Sequence, residues 1–288
     1  MIACERRSMT PMLRARTILR QVLFAQVPFF LGLALALALI LVSALTPAKA
    51  DVRPAYGWTP ETTTADTLAT RVAPPPGFVR IPVAENSFAH WLRGLPMKKA
   101  GAPVLTFTGR QKPRQDVHTD VIDMDVGDRD LQQCADAIMR LRAEWLYGAR
   151  RDKEIAFNDT EGKRLRFTSH RKRDYRSLRR YLNYVFAYAG TYSLERELKP
   201  VSIADMKIGD VFIRGGFPGH AVLVADMVEN PETGEKRFLL LQSYMPAQDV
   251  HVLKNPAADG SPWYPIDFGV TLNTPEWVFP RNQLRRWP

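Results

Sequence analysis

Two side chains in this sequence have the chemistry of a nucleophile and a base. Cysteine occurs twice, at Cys4 and Cys134, and Cys134 is the one within the part of the chain patterned like a folded body. A thiol attacks as its thiolate, which a helix N-terminus or a neighbouring imidazolium favours. The sequence predicts Cys134 four to six residues into a helix, near its positive end. His220 follows Gly215-Gly216-Phe217-Pro218-Gly219 and stands at the mouth of the apolar run Ala221-Val222-Leu223-Val224-Ala225. Glycines there allow backbone angles and close approaches that other residues forbid, so the ring is expected near a surface a substrate can reach. Together the two residues point to nucleophilic thiol chemistry. Each also has a plainer reading: Cys134 as a small core residue on an apolar stripe, His220 as a surface residue of a hairpin.

The elements that must position them follow from periodicity and punctuation. Leu131, Cys134, Ile138, Leu141 and Trp145 share one helical stripe, with Asp128 or Asp130 as cap and Gly148 as terminator. Gly209-Asp210 opens a strand at Val211-Phe212-Ile213, and the loop Asn230-Pro231-Glu232-Thr233-Gly234 leads to a return strand, Phe238 to Gln242. Around this unit the pattern predicts a helix from Phe88 to Arg93 capped by Asn86 or Ser87. It predicts strands at Val104 to Phe107 and within Val117 to Val126, and a hairpin of Glu154–Phe157 with Arg164–Phe167. A long helix runs from Tyr175 to Ala189, then a short turn, Leu194 to Leu198, capped by Ser193. The tail, Pro246 to Pro288, reads as a surface wrap with short strands. The fold class is α+β, an antiparallel sheet with packed helices, in a single domain over residues 77–288.

What precedes that domain reads as export machinery. Arginines precede an uncharged apolar run, residues 27–45, and Ala48-Lys49-Ala50 forms an A-x-A cleavage site before Asp51. Residues 1–50 are therefore expected to be a signal peptide or, uncleaved, a membrane anchor, since nineteen residues also suffice to span a bilayer. The Thr-, Pro- and Ala-rich stretch 51–76 reads as a linker. The body is expected outside the cytoplasm, periplasmic or extracellular, where one remaining cysteine has no internal disulfide partner.

Charge excludes some functions. Of the net +10, half lies in residues 1–50, which argues against a nucleic-acid partner for the body. The densest basic run, Lys163 to Arg180, suits a solvated hairpin and helix face better than a specific site, with acidic envelope polymers as the alternative partner. Asp123, Asp125, Asp128 and Asp130 lack the spacing of a calcium loop and fit a helix cap and a solvated strand face. Arg140 and Glu144 have the spacing of a helical ion pair. The sequence has no P-loop, Rossmann fingerprint, G-x-S-x-G or zinc-spaced Cys/His pair, so no cofactor or metal is expected.

Five stretches carry a family resemblance: Asp130-Leu131-Gln132-Gln133-Cys134-Ala135-Asp136, Tyr188-Ala189-Gly190-Thr191, Gly209 to His220, Gln242-Ser243-Tyr244-Met245-Pro246-Ala247-Gln248 and Pro262-Trp263-Tyr264. Over roughly Pro76 to Tyr264 the chain resembles a family of exported bacterial proteins known as a domain of unknown function. The resemblance implies no activity. A more distant likeness connects a cysteine on a helix, a histidine on a strand and a polar residue on the next strand to papain-like cell-wall amidases of the NlpC and CHAP kind. In those enzymes the third residue orients the histidine. With the hairpin turning near Thr233, the facing position falls at Gln242 to Met245, making Gln242 and Ser243 the candidates, with Gln248 and His251 weaker. Two departures stand out: such enzymes carry the cysteine at the very start of its helix, and 86 residues from Cys134 to His220 exceed their usual gap. The likeness implies a cell-envelope thiol hydrolase, an amidase or peptidase acting on peptidoglycan peptides. The competing class is a non-catalytic envelope protein using the same scaffold to bind or to build.

Overall fold

The structure, a computed structural model, describes residues 56–59, 66–167 and 174–288. The expected signal or anchor at 1–50, most of the stretch 51–65, and Arg171, Lys172 and Arg173 of the basic run lie outside the described residues. Among the described residues no helix is long and apolar enough to cross a membrane.

The chain is α+β, as its patterning predicts. In chain order it forms α1 (Leu68–Arg71), β1 (Val79–Arg80), α2 (Phe88–Arg93), β2 (His118–Val121) and α3 (Cys134–Gly148). The hairpin β3 (Ala156–Asn158) and β4 (Arg164–Arg166), then α4 (Tyr175–Tyr188), α5 (Thr191–Glu197) and β5 (Lys199–Pro200) follow. The sheet strands β6 (Val211–Arg214), β7 (His220–Glu229), β8 (Lys236–Gln242) and β9 (His251–Leu253) come next. The chain closes with β10 (Tyr264–Pro265), β11 (Thr271–Asn273), β12 (Val278–Pro280) and β13 (Leu284–Arg286). The main sheet is antiparallel in the order β2-β9-β8-β7-β6-β13-β5, with β1 and β10 added beside β7 and β8.

β7 is buried on both faces, which is why it reads as a continuous apolar run rather than an alternation. Ala221, Leu223 and Ala225 pack with Leu241 against Ile138 and Leu141 of α3 in the larger core. Val222 and Val224 face the other way, with Leu240, Phe212 and Phe238, into a second core closed by Tyr264, Leu272 and Phe279. The tail is therefore no surface wrap. Its strands are only two or three residues long and broken by prolines, too short to show alternation, yet they supply part of one sheet face and the lid of the second core.

Two other expectations need correction. Val104 to Phe107 is not a strand; it makes only the isolated bridges Leu105 to Gln111 and Thr106 to Gln248 around the turn at Gly109. The stretch expected to be a linker also contributes to the fold. Leu68 and Val72 are buried, Thr67 caps α1, and the Tyr56 hydroxyl donates to the Trp91 carbonyl at 2.8 Å. A four-residue helix is too short to register as periodicity.

α3 is buried nearly all round, so it runs through the protein's interior and is not a surface helix. The predicted Arg140–Glu144 pair exists and is fully buried, with Nε to Oε1 at 3.3 Å. Arg140 also donates to Gln132 Oε1 at 2.5 Å and Asp125 Oδ1 at 2.6 Å, and the Tyr175 hydroxyl donates to Glu144 Oε1 at 2.6 Å. These bonds tie the middle of α3 to the segment entering it and to α4.

Candidate functional site

Cys134 is the first residue of α3, with Gln133 as the cap, and not four to six residues in. The reason is local. The Asp130 carboxylate is taken up by the Ala247 amide at 2.7 Å and the Gln133 side chain at 3.0 Å, and Leu131 and Gln133 are held by i to i−2 backbone bonds instead of a helical turn. Of the two departures from the amidase pattern, the position of the cysteine in its helix is absent from the folded protein, while the 86-residue gap to His220 remains. Burial pushes the Cys134 thiol up to about 12, Asp136 adds to this, and the amides of Ala135, Ala221 and Cys134 itself work against it by favouring the thiolate. Ala221 is the residue after His220, so the sulfur lies beside the peptide that leaves the histidine.

His220 opens β7, and its Nε2 lies 2.8 Å from Gln242 Oε1. β7 and β8 are paired so that Val224 faces Leu240 and Leu223 faces Leu241, which sets Gln242 on the same sheet face as Val222 and His220. Ser243, one residue on, points to the opposite face. Its hydroxyl donates to the carbonyls of Gln248 at 2.9 Å and Gln132 at 3.2 Å, holding the segment before α3. Of the two candidate orienting residues, Gln242 meets the histidine and Ser243 does not, because neighbours on a strand alternate faces.

The Gln242 amide is locked on its other side. Its Nε2 donates to Glu276 Oε2 at 2.8 Å and lies 3.4 Å from His251 Nε2. Glu276 is clamped by Lys112 Nζ at 2.6 and 2.8 Å. A carboxylate only accepts, so the NH₂ group must face Glu276 and the carbonyl oxygen must face His220. His251 fits the same scheme, with its Nδ1 on the Asp249 carbonyl at 2.9 Å and Nε2 left to accept. It follows that His220 carries its proton on Nε2 and a lone pair on Nδ1. Burial brings His220 down to about 4, opposed by the Gln242 bond, and brings His251 down to about 3. Tyr244, Trp277 and Phe279 surround the His220 ring, with centroids 4.8, 5.3 and 5.9 Å away. At neutral pH the thiol and the imidazole are both uncharged.

Cys134 opens onto a cleft of about 590 Å³. Its walls are the start of α3, the Ala189-Gly190-Thr191 corner between α4 and α5, and the 216–219 loop, with Met245 at the rim. Gly219 is forced by space: a Cβ there would lie 2.2 Å from Thr191 Oγ1 and 2.6 Å from the Arg214 carbonyl oxygen. The glycines before His220 therefore let the loop close onto α5. His220 itself is buried and stands on the sheet face away from α3, so thiol and imidazole approach the mouth of β7 from its two sides. Among the described residues no hydrogen bond joins the Cys134 sulfur to His220, and none is made to Ser243 by either.

Lys112, Glu276, Trp277 and Asp136 had no sequence signal as site residues. Lys112 and Glu276 are 164 positions apart, and only the fold brings them together. The acidic group behaves as its spacing suggests: Asp125 pairs with Arg140 and Arg179, and Asp130 holds the loop before α3. Of the basic run, Arg164 pairs with Glu197, and Arg180 donates to Ser177 on its own helix.

A family model described as a domain of unknown function (4846) matches residues 68–174 and 168–286, well over half of the chain. No curated protein and no solved structure matches it.

Proposed function

From the premise that this chain belongs to the family described as a domain of unknown function (4846), we propose that it is an exported cell-envelope thiol hydrolase that cleaves amide bonds, with peptidoglycan peptides as substrate. The observation that carries the reading is the His220–Gln242 bond, with the Gln242 amide fixed by Glu276 and His251. It fixes which imidazole nitrogen bears the proton, as a base requires, while also satisfying a buried ring. The cysteine at the first position of α3, the histidine at a strand mouth and the polar residue on the next strand also follow the papain-like order of NlpC and CHAP amidases.

In this reading His220 acts as a general base at the moment of attack, because both partners rest uncharged. For attack the Cys134 and His220 side chains, which approach the mouth of β7 from opposite sides, must first come within hydrogen-bond reach; Sγ then bonds to the substrate carbonyl carbon while its proton moves to His220 Nδ1. The first N–H groups of α3, which have no acceptor within the helix, stabilise the developing oxyanion. Collapse breaks the C–N bond, and the imidazolium returns the proton to the leaving amine. Water then hydrolyses the thioester, with His220 again taking a proton. The buried histidine and the high-lying thiol favour a second reading, in which the same scaffold binds an envelope polymer without cleaving it.

The test is digestion of purified peptidoglycan and its released peptides by the protein from residue 51 onward, with mass detection of new amine and carboxyl ends. Cys134→Ser and His220→Ala should abolish cleavage, and Gln242→Ala should lower kcat by about 10- to 100-fold through loss of the oriented tautomer. Cleavage that survives Cys134→Ser, or none in any preparation, refutes the hydrolase. Export is part of the proposal, and a mature N-terminus at Asp51 in material recovered outside the cytoplasm is the expected result.

A further inference from the structure

A second cleft, of about 680 Å³, opens near the mouth of β7 on the sheet face that carries His220. Its walls include Arg114, Arg214, Tyr244, Glu276 and Trp277. Tyr244 and Trp277 are two of the rings packed on His220, with centroids 4.8 and 5.3 Å away. Met245, the residue after Tyr244, lines the cleft beside Cys134, so the segment 244–245 stands between the two clefts. Arg214 ends β6 and pairs directly with His220 in the register of β6 and β7. Cross-strand partners share a sheet face, so guanidinium and imidazole project to the same side. An exposed arginine is ordinary on a protein surface; this one stands in a cleft walled by the rings around the candidate base. Arg214 is exposed, and among the described residues its side chain makes no ion pair or hydrogen bond. The other charges of the cleft are already engaged. Arg114 is held by Asp116 at 2.6 Å and by the Pro275 carbonyl at 2.9 Å. Both Glu276 oxygens accept from Lys112, and one also accepts from Gln242. Arg214 therefore brings an uncompensated positive charge to a cleft with two aromatic walls.

We propose that Arg214 is the specificity residue of this second cleft, receiving the terminal carboxylate of a substrate peptide while Tyr244 and Trp277 cover the short chain that bears it. The inference rests on the hydrolase reading for the word substrate; the anion site itself rests on Arg214, the register and the aromatic walls. A guanidinium presents paired N–H donors that match a carboxylate, and such a pair is stronger than a neutral hydrogen bond. The Cα atoms of Arg214 and His220, as cross-strand partners, lie about 5 Å apart. A carboxylate on Arg214 thus places an amide one or two residues away beside the imidazole. That is the side on which the hydrolase needs its leaving amine, because His220 returns the proton to it. The acyl part then extends past the segment 244–245 toward the cleft of Cys134. The substrate class is a peptide cut within a residue or two of its free carboxyl end.

The experiment titrates the Cys134→Ala protein with N-acetyl-alanyl-alanine and with the corresponding amide, by calorimetry at low and at high salt. The two ligands differ only in the terminal charge. The acid is expected to bind about tenfold or more tightly than the amide, with a margin that shrinks as salt is added because the guanidinium is exposed. Arg214→Gln, in the same background, should erase the preference, and a urea midpoint near that of the parent shows that the variant is folded. Equal binding of the two ligands, binding of neither, or a preference that survives Arg214→Gln overturns the proposal. Hydrolysis of acetylated alanine tripeptides with free and amidated ends by the wild-type protein separates the two claims. Cleavage without preference for the free acid sinks the Arg214 assignment and leaves the hydrolase. Acid-selective binding without cleavage leaves the anion site and sinks the hydrolase.

Discussion

Replacing His220 by glutamine should flatten the acid limb of the stability curve by the share of one proton. In the folded protein burial lowers His220 to about 4, against about 6.5 in an unfolded chain. Its folded form resists protonation, so the stability it contributes is fully present above about pH 6.5 and is lost as pH falls toward about 4. Within that window the unfolded state binds one more proton than the native state at this site, a slope of about 1.4 kcal/mol per pH unit, or about 3 kcal/mol over the whole interval. His251, brought down to about 3, titrates with the same sign. Asp136, whose carboxyl burial raises well above the usual range, titrates with the opposite sign. The total slope is therefore mixed, and the diagnostic quantity is the difference between wild type and His220→Gln. Urea unfolding followed by far-UV circular dichroism at half-unit steps from about pH 6 to about pH 4.5 should give free-energy lines that converge by about 2 kcal/mol. Parallel lines would show that His220 titrates as a solvated residue, and the burial and tautomer assignments of the site would fall with it.

Arg140→Ala leaves Glu144 buried without its cation and unties Gln132 and Asp125 from α3. It should cost about 3–5 kcal/mol in urea unfolding, and a loss under about 1 kcal/mol contradicts the role given to this cluster. Gly219→Ala drives a methyl group into Thr191 and two backbone carbonyls. A loss of about 1–3 kcal/mol is expected, with reduced cleavage if the loop also shapes the site. Gly162→Ala meets nothing near its missing Cβ but stands at φ +87°, so its cost reports left-handed backbone strain without side-chain crowding.

The order of elements and most of their residues follow from local pattern. Ser87 caps α2, α4 begins at Tyr175, and Gly209-Asp210 opens β6 as punctuation and periodicity require. That His220 would meet the end of the return strand, at Gln242 or Ser243, could also be counted from the hairpin, because cross-strand register is largely a local property of a turn and two strands. Choosing between Gln242 and Ser243 could not, since a β-bulge between Val224 and Asp226 shifts the register by an amount no count of residues reveals. The start of α3 was beyond local pattern as well. Leu131 sits on the helical stripe, yet Asp130 is claimed by the Ala247 amide from a distant loop, and that bond delays the helix until Cys134. The tail deceived for the opposite reason, because strands of two or three residues have no period to read, and Phe279 reaches the second core only through partners far away in sequence. Lys112, Glu276 and Asp136 belong to the site through electrostatics and burial, which are properties of the packed interior. Residue types fixed what chemistry was available, and long-range packing alone decided that the thiol would head its helix and that the imidazole would be held by one nitrogen.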